Sequence, residues 1–136
     1  MGTFSSVSLE TKYSNKIEEG FSHLKDVEHL LSSYKQDALV FRLNKERSLS
    51  TQVTLKDILE KSKAYHTLTQ GYFDITIGSI TKKLYHFGEK EQIPTPQELA
   101  SASLGIDSIH VGNKEIRIEN NISIDLGGIG KGIWGR

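Results

Sequence analysis

The stretch "ISIDLGGIGKG", residues 122–132, constrains this chain more than any other. Four of the six residues from Gly127 to Gly132 are glycine, with Asp125 at the head and Lys131 near the tail. The run follows a short β-rich segment, so it reads as a strand-to-helix junction. At such a junction backbone N–H groups and the helix dipole attract anions. The spacing fits neither familiar nucleotide loop. A Walker loop needs a hydroxyl after its lysine, and Gly132 follows Lys131 here. The order "GGIGKG" also breaks the G-x-G-x-x-G pattern, and no crossover strand follows it. Two readings stay open: a loop that holds a phosphate, and a plain glycine-rich turn after an edge strand.

A second stretch, "GYFDITIG" at residues 71–78, reads as extended. Asp74 and Thr76 alternate with Phe73, Ile75 and Ile77, so an extended backbone puts the carboxylate and the hydroxyl on one face. Such a pair suits a ribityl or ribose hydroxyl, or an ion. It equally suits the solvent-facing half of an ordinary strand.

Around these lie the elements of one α+β unit, with helices packed on a mainly antiparallel sheet. Residues 3–10 read as a first strand. Ile17, Phe21, Leu24, Val27, Leu30 and Leu31 recur at helical spacing, predicting a helix over 14–33 capped by Ser14 or Asn15. A mixed segment, 34–53, precedes a second helix that starts at Thr54 with a Thr54–Asp57 capping box and stops at Gly71. Its inward set is Leu55, Ile58, Leu59, Ala64, Tyr65 and Leu68. "PTPQELASASLG" predicts a short helix capped by Thr95, with Pro96 at its first position and Gly105 at its end. Three strands close the pattern, at 108–111, 115–119 and 122–125, the first two joined by a turn at Gly112-Asn113.

Composition removes several function classes. Seventeen basic residues balance seventeen acidic ones, which leaves no electrostatic footprint for nucleic acid. The chain has no cysteine, so disulfides, thiolate metal sites and cysteine nucleophiles are excluded. None of the five histidines pairs with another at a metal-binding spacing. No apolar run approaches the ~20 residues of a membrane span, and "MGTFSSVSLE" lacks the form of a secretory leader.

Taken in order, four stretches resemble the ApbE family of FAD:protein FMN transferases, formerly described as thiamine-biosynthesis lipoproteins. "MGTFSSVSL" resembles the family's opening strand, and "HLLSSYKQDALVFRLN" its S-x-Y-x-x-D-S-x-x-S-R-L-N segment. "TQGYFDITIGSITKKLYHFG" resembles T-x-G-x-F-D-x-T-V-G-P-L leading to W-x-F-G, and "IDLGGIGKG" resembles D-L-G-G-I-A-K-G. The departures are mild: Ala38, Ser79, Tyr85 and Gly130 stand where the pattern has serine, proline, tryptophan and alanine.

The resemblance implies transfer of FMN from FAD onto a threonine or serine of an acceptor protein, with magnesium and release of AMP. It implies FAD contacts at Met1, Tyr34, Phe73, Asp74, Ile75, Thr76, Asp125 and Lys131, and a main-chain magnesium ligand at Gly128. It also implies that residues 1–136 are the N-terminal part of a longer, single flavin-transferase domain, often found in exported or membrane-anchored lipoproteins. The expectation is then a truncated fold, inactive alone, whose remaining magnesium ligands lie elsewhere. The alternatives are a non-catalytic FAD-binding module, a chain that pairs with a complementary chain or with its own copy, and an inactive fragment.

Overall fold

A computed structural model of the chain describes residues 6–133, without the side chains of Lys131 and Ile133. The expected α+β arrangement is present. Helices α1 (Ile17–Leu31), α2 (Leu39–Glu46), α3 (Val53–Leu68), α4 (Gly78–Thr81), α5 (Pro96–Ala100) and α6 (Gly127–Ile133) accompany strands β1 (Ser48–Ser50), β2 (Ile109–Val111) and β3 (Glu115–Ile118). The sheet is antiparallel, in the order β1-β3-β2. Its register sets Ile116 opposite both Leu49 and Val111, and Ile118 opposite Ile109. Because side chains alternate along a strand, this row of aliphatics faces the helices while Arg117 and Glu115 face out. Leu49, Ile109, Ile116 and Ile118 are buried and join Val40, Leu43, Leu55, Leu59, Ile75, Ile122, Ile124 and Leu126 in one core.

Several expectations change. Of the strand at 3–10, residues 3–5 lie outside the described residues, and residues 6–10 form no strand and lead into a 3₁₀ turn at Thr11–Lys16. Ser14 and Asn15 sit within that turn and cannot cap α1. The cap position falls to Lys16, which makes no side-chain capping bond. Only the C-terminal half of the α1 stripe is deeply packed: Val27 and Leu31 are buried, while Phe21 is exposed. Similarly, α3 begins one residue before Thr54 with Gln52 as its cap, so Thr54 and Asp57 form no capping box. Leu55, Ile58 and Leu59 are buried as expected, but Ala64, Tyr65 and Leu68 are exposed. The stop is as expected, with Gln70 and Gly71 in left-handed conformations and the Gly71 N–H donating to the His66 carbonyl.

The mixed segment holds α2 and β1, which end and begin at Arg47, a left-handed residue at φ 71°. In α5 Thr95 caps the helix with Pro96 at the first position, as read, and Glu98 completes a capping box that the sequence reading did not name. The helix ends early, at Ala100, and Gly105 instead introduces a 3₁₀ turn at Ile106–Ser108. The β2–β3 hairpin closes with the Gly112 N–H on the Glu115 carbonyl at 2.9 Å.

The largest correction concerns 71–78 and 122–125, neither of which is a strand of the sheet. They touch through one isolated parallel bridge, Ile77 to Ser123. The place of a third strand in the sheet goes to β1. Among the described residues no helix is long and apolar enough to cross a membrane.

Candidate functional site

Segment 122–125 delivers Asp125 and the glycines to their place, and side chains do most of the holding. Backbone groups of a buried extended segment need partners, and here they come from several elements. Arg47 donates to the Ile122 carbonyl at 2.6 Å. The Ser123 N–H donates to the Ser79 hydroxyl at 2.9 Å. Asn44 takes both groups of Ile124, accepting its N–H at 2.7 Å and donating to its carbonyl at 2.8 Å. Finally the Asp125 N–H donates to the Ile75 carbonyl at 2.8 Å. Gly78 lets the two segments press together: a Cβ there would lie 2.6 Å from the Ser123 carbonyl oxygen.

The Asp125 carboxylate is then fixed at both oxygens. One accepts from the Gly127 N–H at 2.9 Å at the start of α6, and the other accepts from the Thr81 hydroxyl at 3.1 Å at the end of α4. Leu126, Gly127 and Gly130 continue the lining of a cleft of ≈ 610 Å³ that Leu31, Tyr34 and Gly88 also line. Phe73 lies beside α6, since a Cβ at Gly128 would come within 3.4 Å of its ring. The phenylalanine is also held edge-on by Tyr65, with centroids 6.1 Å apart.

Tyr34 lines both this cleft and a smaller cavity of ≈ 260 Å³, which Asn44, Lys45, Lys82, Phe87 and Ser123 also line. Gly88, in a left-handed conformation at φ 83°, lies so close that a Cβ would sit 2.8 Å from the Tyr34 ring. On the ring face lies the Lys82 ammonium, 3.0 Å from the centroid. Burial raises the Tyr34 phenol above its ordinary range, helped by the negative charges of Asp125, Glu89 and Glu91. Burial likewise lowers Lys82, against the opposing pull of Asp125 and Glu89.

The other expected residues fall differently. Asp74 and Thr76 meet, but in a turn rather than on a strand face: the Asp74 carboxylate accepts from the Thr76 N–H at 2.8 Å and from its hydroxyl at 2.7 Å. The Thr76 oxygen in turn accepts from the Gly105 N–H at 2.9 Å. Ile75 is 1% exposed and Thr76 0%, so their side chains offer no surface to a ligand, whereas Ile77 is exposed. The sequence alternation misled because the turn sends two successive side chains inward. His66 bonds the Phe73 carbonyl at 2.9 Å and lies 3.6 Å from Asp74. Met1 lies outside the described residues, and Lys131 is described in its backbone alone, within α6.

Thr81 and Lys82 belong to this neighbourhood and carry no motif of their own within "SITKKLYHFG", where Gly88 closes the stretch that resembles W-x-F-G. Only the long-range approach of Asp125 and Tyr34 reveals Thr81 and Lys82. For magnesium, the Gly128 carbonyl would be a single oxygen ligand. Among the described residues no three His, Asp or Glu side chains gather where a metal ion could sit. Since magnesium asks for an octahedral oxygen shell, the described residues do not complete a site for it.

A central antiparallel sheet, helices on one face, and a side-chain-held segment entering a glycine-rich helix start define the α+β class seen in solved flavin transferases. The ApbE protein of Thermotoga maritima superposes with a TM-score of 0.82 at 21% identity, covering 96% of this chain and 44% of that one. The flavin transferase ApbE of Vibrio cholerae gives 0.75 at 24% identity, again over 96% of this chain and 44% of that one. These likenesses establish the fold. The sequence pattern of the ApbE family matches residues 1–134, and the chain belongs to that family. Curated relatives include the FAD:protein FMN transferases of Haemophilus influenzae, 32% identical over 85% of this chain, and Escherichia coli K12, 29% identical over 97% of it. This chain spans 37% and 42% of those proteins.

Proposed function

We propose that residues 1–136 are the N-terminal part of a single ApbE-like domain and form the FAD-binding side of a Mg²⁺-dependent FAD:protein FMN transferase. The observation that carries this reading is the convergence of Tyr34, Asp125 and the α6 glycines, distant in sequence, on one cleft. The names of the curated relatives supply the substrate class. In the reaction so inferred, a threonine or serine oxygen of an acceptor protein attacks the phosphorus of the FMN half of FAD. The phosphoanhydride bond to AMP breaks, AMP leaves with the bonding electrons, and the hydroxyl proton passes to a base. Positioning and charge neutralisation are what such a displacement asks of a protein.

On this reading Tyr34 and Phe73 offer aromatic faces, Asp125 accepts from ligand hydroxyl or amide groups, and Lys131 and Met1 complete the FAD contacts. Asp74, Ile75 and Thr76 act through the turn that supports Phe73 and receives Asp125. Gly128 offers its carbonyl to magnesium, whose other ligands and the base would come from the part of the parent domain beyond this chain. The chain is then insufficient for catalysis alone.

Titration with FAD, followed by flavin fluorescence, tests the binding half. Saturable quenching is expected, weakened about tenfold or more by Tyr34→Ala or Asp125→Ala. No response at high FAD would overturn the reading. Incubation with FAD, magnesium and an acceptor protein should leave no covalent flavin on the acceptor, and robust flavinylation would refute insufficiency while keeping the FAD site.

A further inference from the structure

Nothing in the reading above uses Lys82. It follows directly on α4, and its ammonium ends on the face of Tyr34, 3.0 Å from the ring centroid. A cation over an aromatic face is attracted by the ring quadrupole, and more strongly when partly withdrawn from water. Lys82 is half-buried and lines the smaller cavity, whereas Tyr34 lines both that cavity and the larger cleft with Asp125. Gly88 lies close at the ring edge, where an added Cβ would come within 2.8 Å. The ring and the ammonium both line the ≈ 260 Å³ cavity, so loss of the ammonium removes a neighbour of the ring on that side.

We propose that Lys82 is a positioning residue for Tyr34: with its ammonium on the ring face it holds the part of the cleft lining against which the FAD ring system packs. The proposal rests on the FAD reading for its ligand. The clamp itself can be tested without one. Its chemistry explains why a lysine with two acidic neighbours, Glu89 and Asp125, sits over an aromatic face instead of completing an ion pair with either.

Reductive methylation with formaldehyde and borohydride, read residue by residue by mass spectrometry, tests the clamp. Lys82 should react about fivefold more slowly in the unliganded wild-type chain than in Tyr34→Leu, from the attraction an aromatic face exerts on a cation, with exposed Lys90 as the internal standard. Tyr34→Phe should keep that protection, and Tyr34→Leu should remove it. Equal protection in the Phe and Leu variants would show that burial alone shields the lysine, and would overturn the proposal. The consequence for binding is read by FAD titration: Lys82→Met should weaken affinity about tenfold and Lys82→Arg should restore it to within about threefold. Wild-type affinity in the Met variant, with affinity lost in Tyr34→Ala, would also overturn the proposal. If the wild-type chain binds no FAD, the functional reading fails, and the methylation pattern alone decides the clamp.

Discussion

Asp74 and Thr76 lie two residues apart and bond at 2.7 Å, whereas Asp125 and Thr81 meet at 3.1 Å across 44 residues of chain. The first pair is closed on itself. The Thr76 hydroxyl donates to Asp74 and accepts from Gly105, and the threonine is fully buried. In the second pair Asp125 borders the cleft, and its carboxylate is oriented by the Thr81 hydroxyl and one backbone amide. The same two residue types thus build a local brace in one place and an oriented cleft wall in the other. Adjacency in sequence favours the brace, because a neighbouring backbone amide is always within reach of a short acidic side chain.

Substitutions can break this contrast or sharpen it. The largest effect is expected where the two regions touch. Gly78→Ala drives a Cβ into the Ser123 carbonyl, and should cost about 3 kcal/mol in urea denaturation. A loss below about 1 kcal/mol would mean that the regions are not pressed together as described. Next, Asn44→Ala strips partners from both backbone groups of Ile124, and about 2 kcal/mol should be lost. FAD affinity should fall with it, since Asp125 follows directly.

Thr76→Val keeps the shape and removes the brace, at a cost of about 1.5 kcal/mol. Affinity for FAD should fall by only about twofold, indirectly through the turn that supports Phe73, a change of under ~0.5 kcal/mol in binding. Thr81→Val should reverse the pattern, with about 0.5 kcal/mol of stability lost and FAD bound about threefold more weakly. Equal behaviour of the two valine variants would erase the distinction between brace and cleft wall.

The smallest effect concerns α5, which precedes the glycine that bonds Thr76. Bonds from Thr95 hold Glu98 below the ordinary glutamate range. A depressed folded value means the stabilisation is present above the unfolded pKa and is lost as pH falls through the folded one. The difference in melting temperature between the wild-type chain and Glu98→Gln should therefore shrink on acidification below the ordinary glutamate value. A difference that stays constant with pH would remove the charge from that account.

What the sequence made legible follows the same division. The Thr95–Pro96 start of α5 was readable because capping chemistry is local. The β2–β3 hairpin and the apolar rows of α1 and α3 were readable in part, since periodicity tells which residues are apolar without telling how far the core extends. Tyr65 and Leu68 have the right spacing in α3 yet remain exposed. Residues 122–125 looked like a sheet strand because Ile122 and Ile124 alternate with polar neighbours. Their partners are Arg47, Asn44 and Ser79, and only the folded chain brings those near. Tyr34 and Asp125 were marked through resemblance, while Thr81 and Lys82 gain meaning from contacts that no spacing announces.

The grip of Asn44 on Ile124 has a consequence for how this family could vary. A paired strand can slip by a residue and find new partners of the same kind. A single amide that clasps both backbone groups of one residue offers no second register. Length changes in the exposed turn at Asn120 and Asn121 can be absorbed before the clasp. One residue gained or lost between Ile124 and Gly127 would instead pull the carboxylate away from Thr81. The spacing from Ile124 to the first glycine is therefore a ruler, and insertions should accumulate upstream of it.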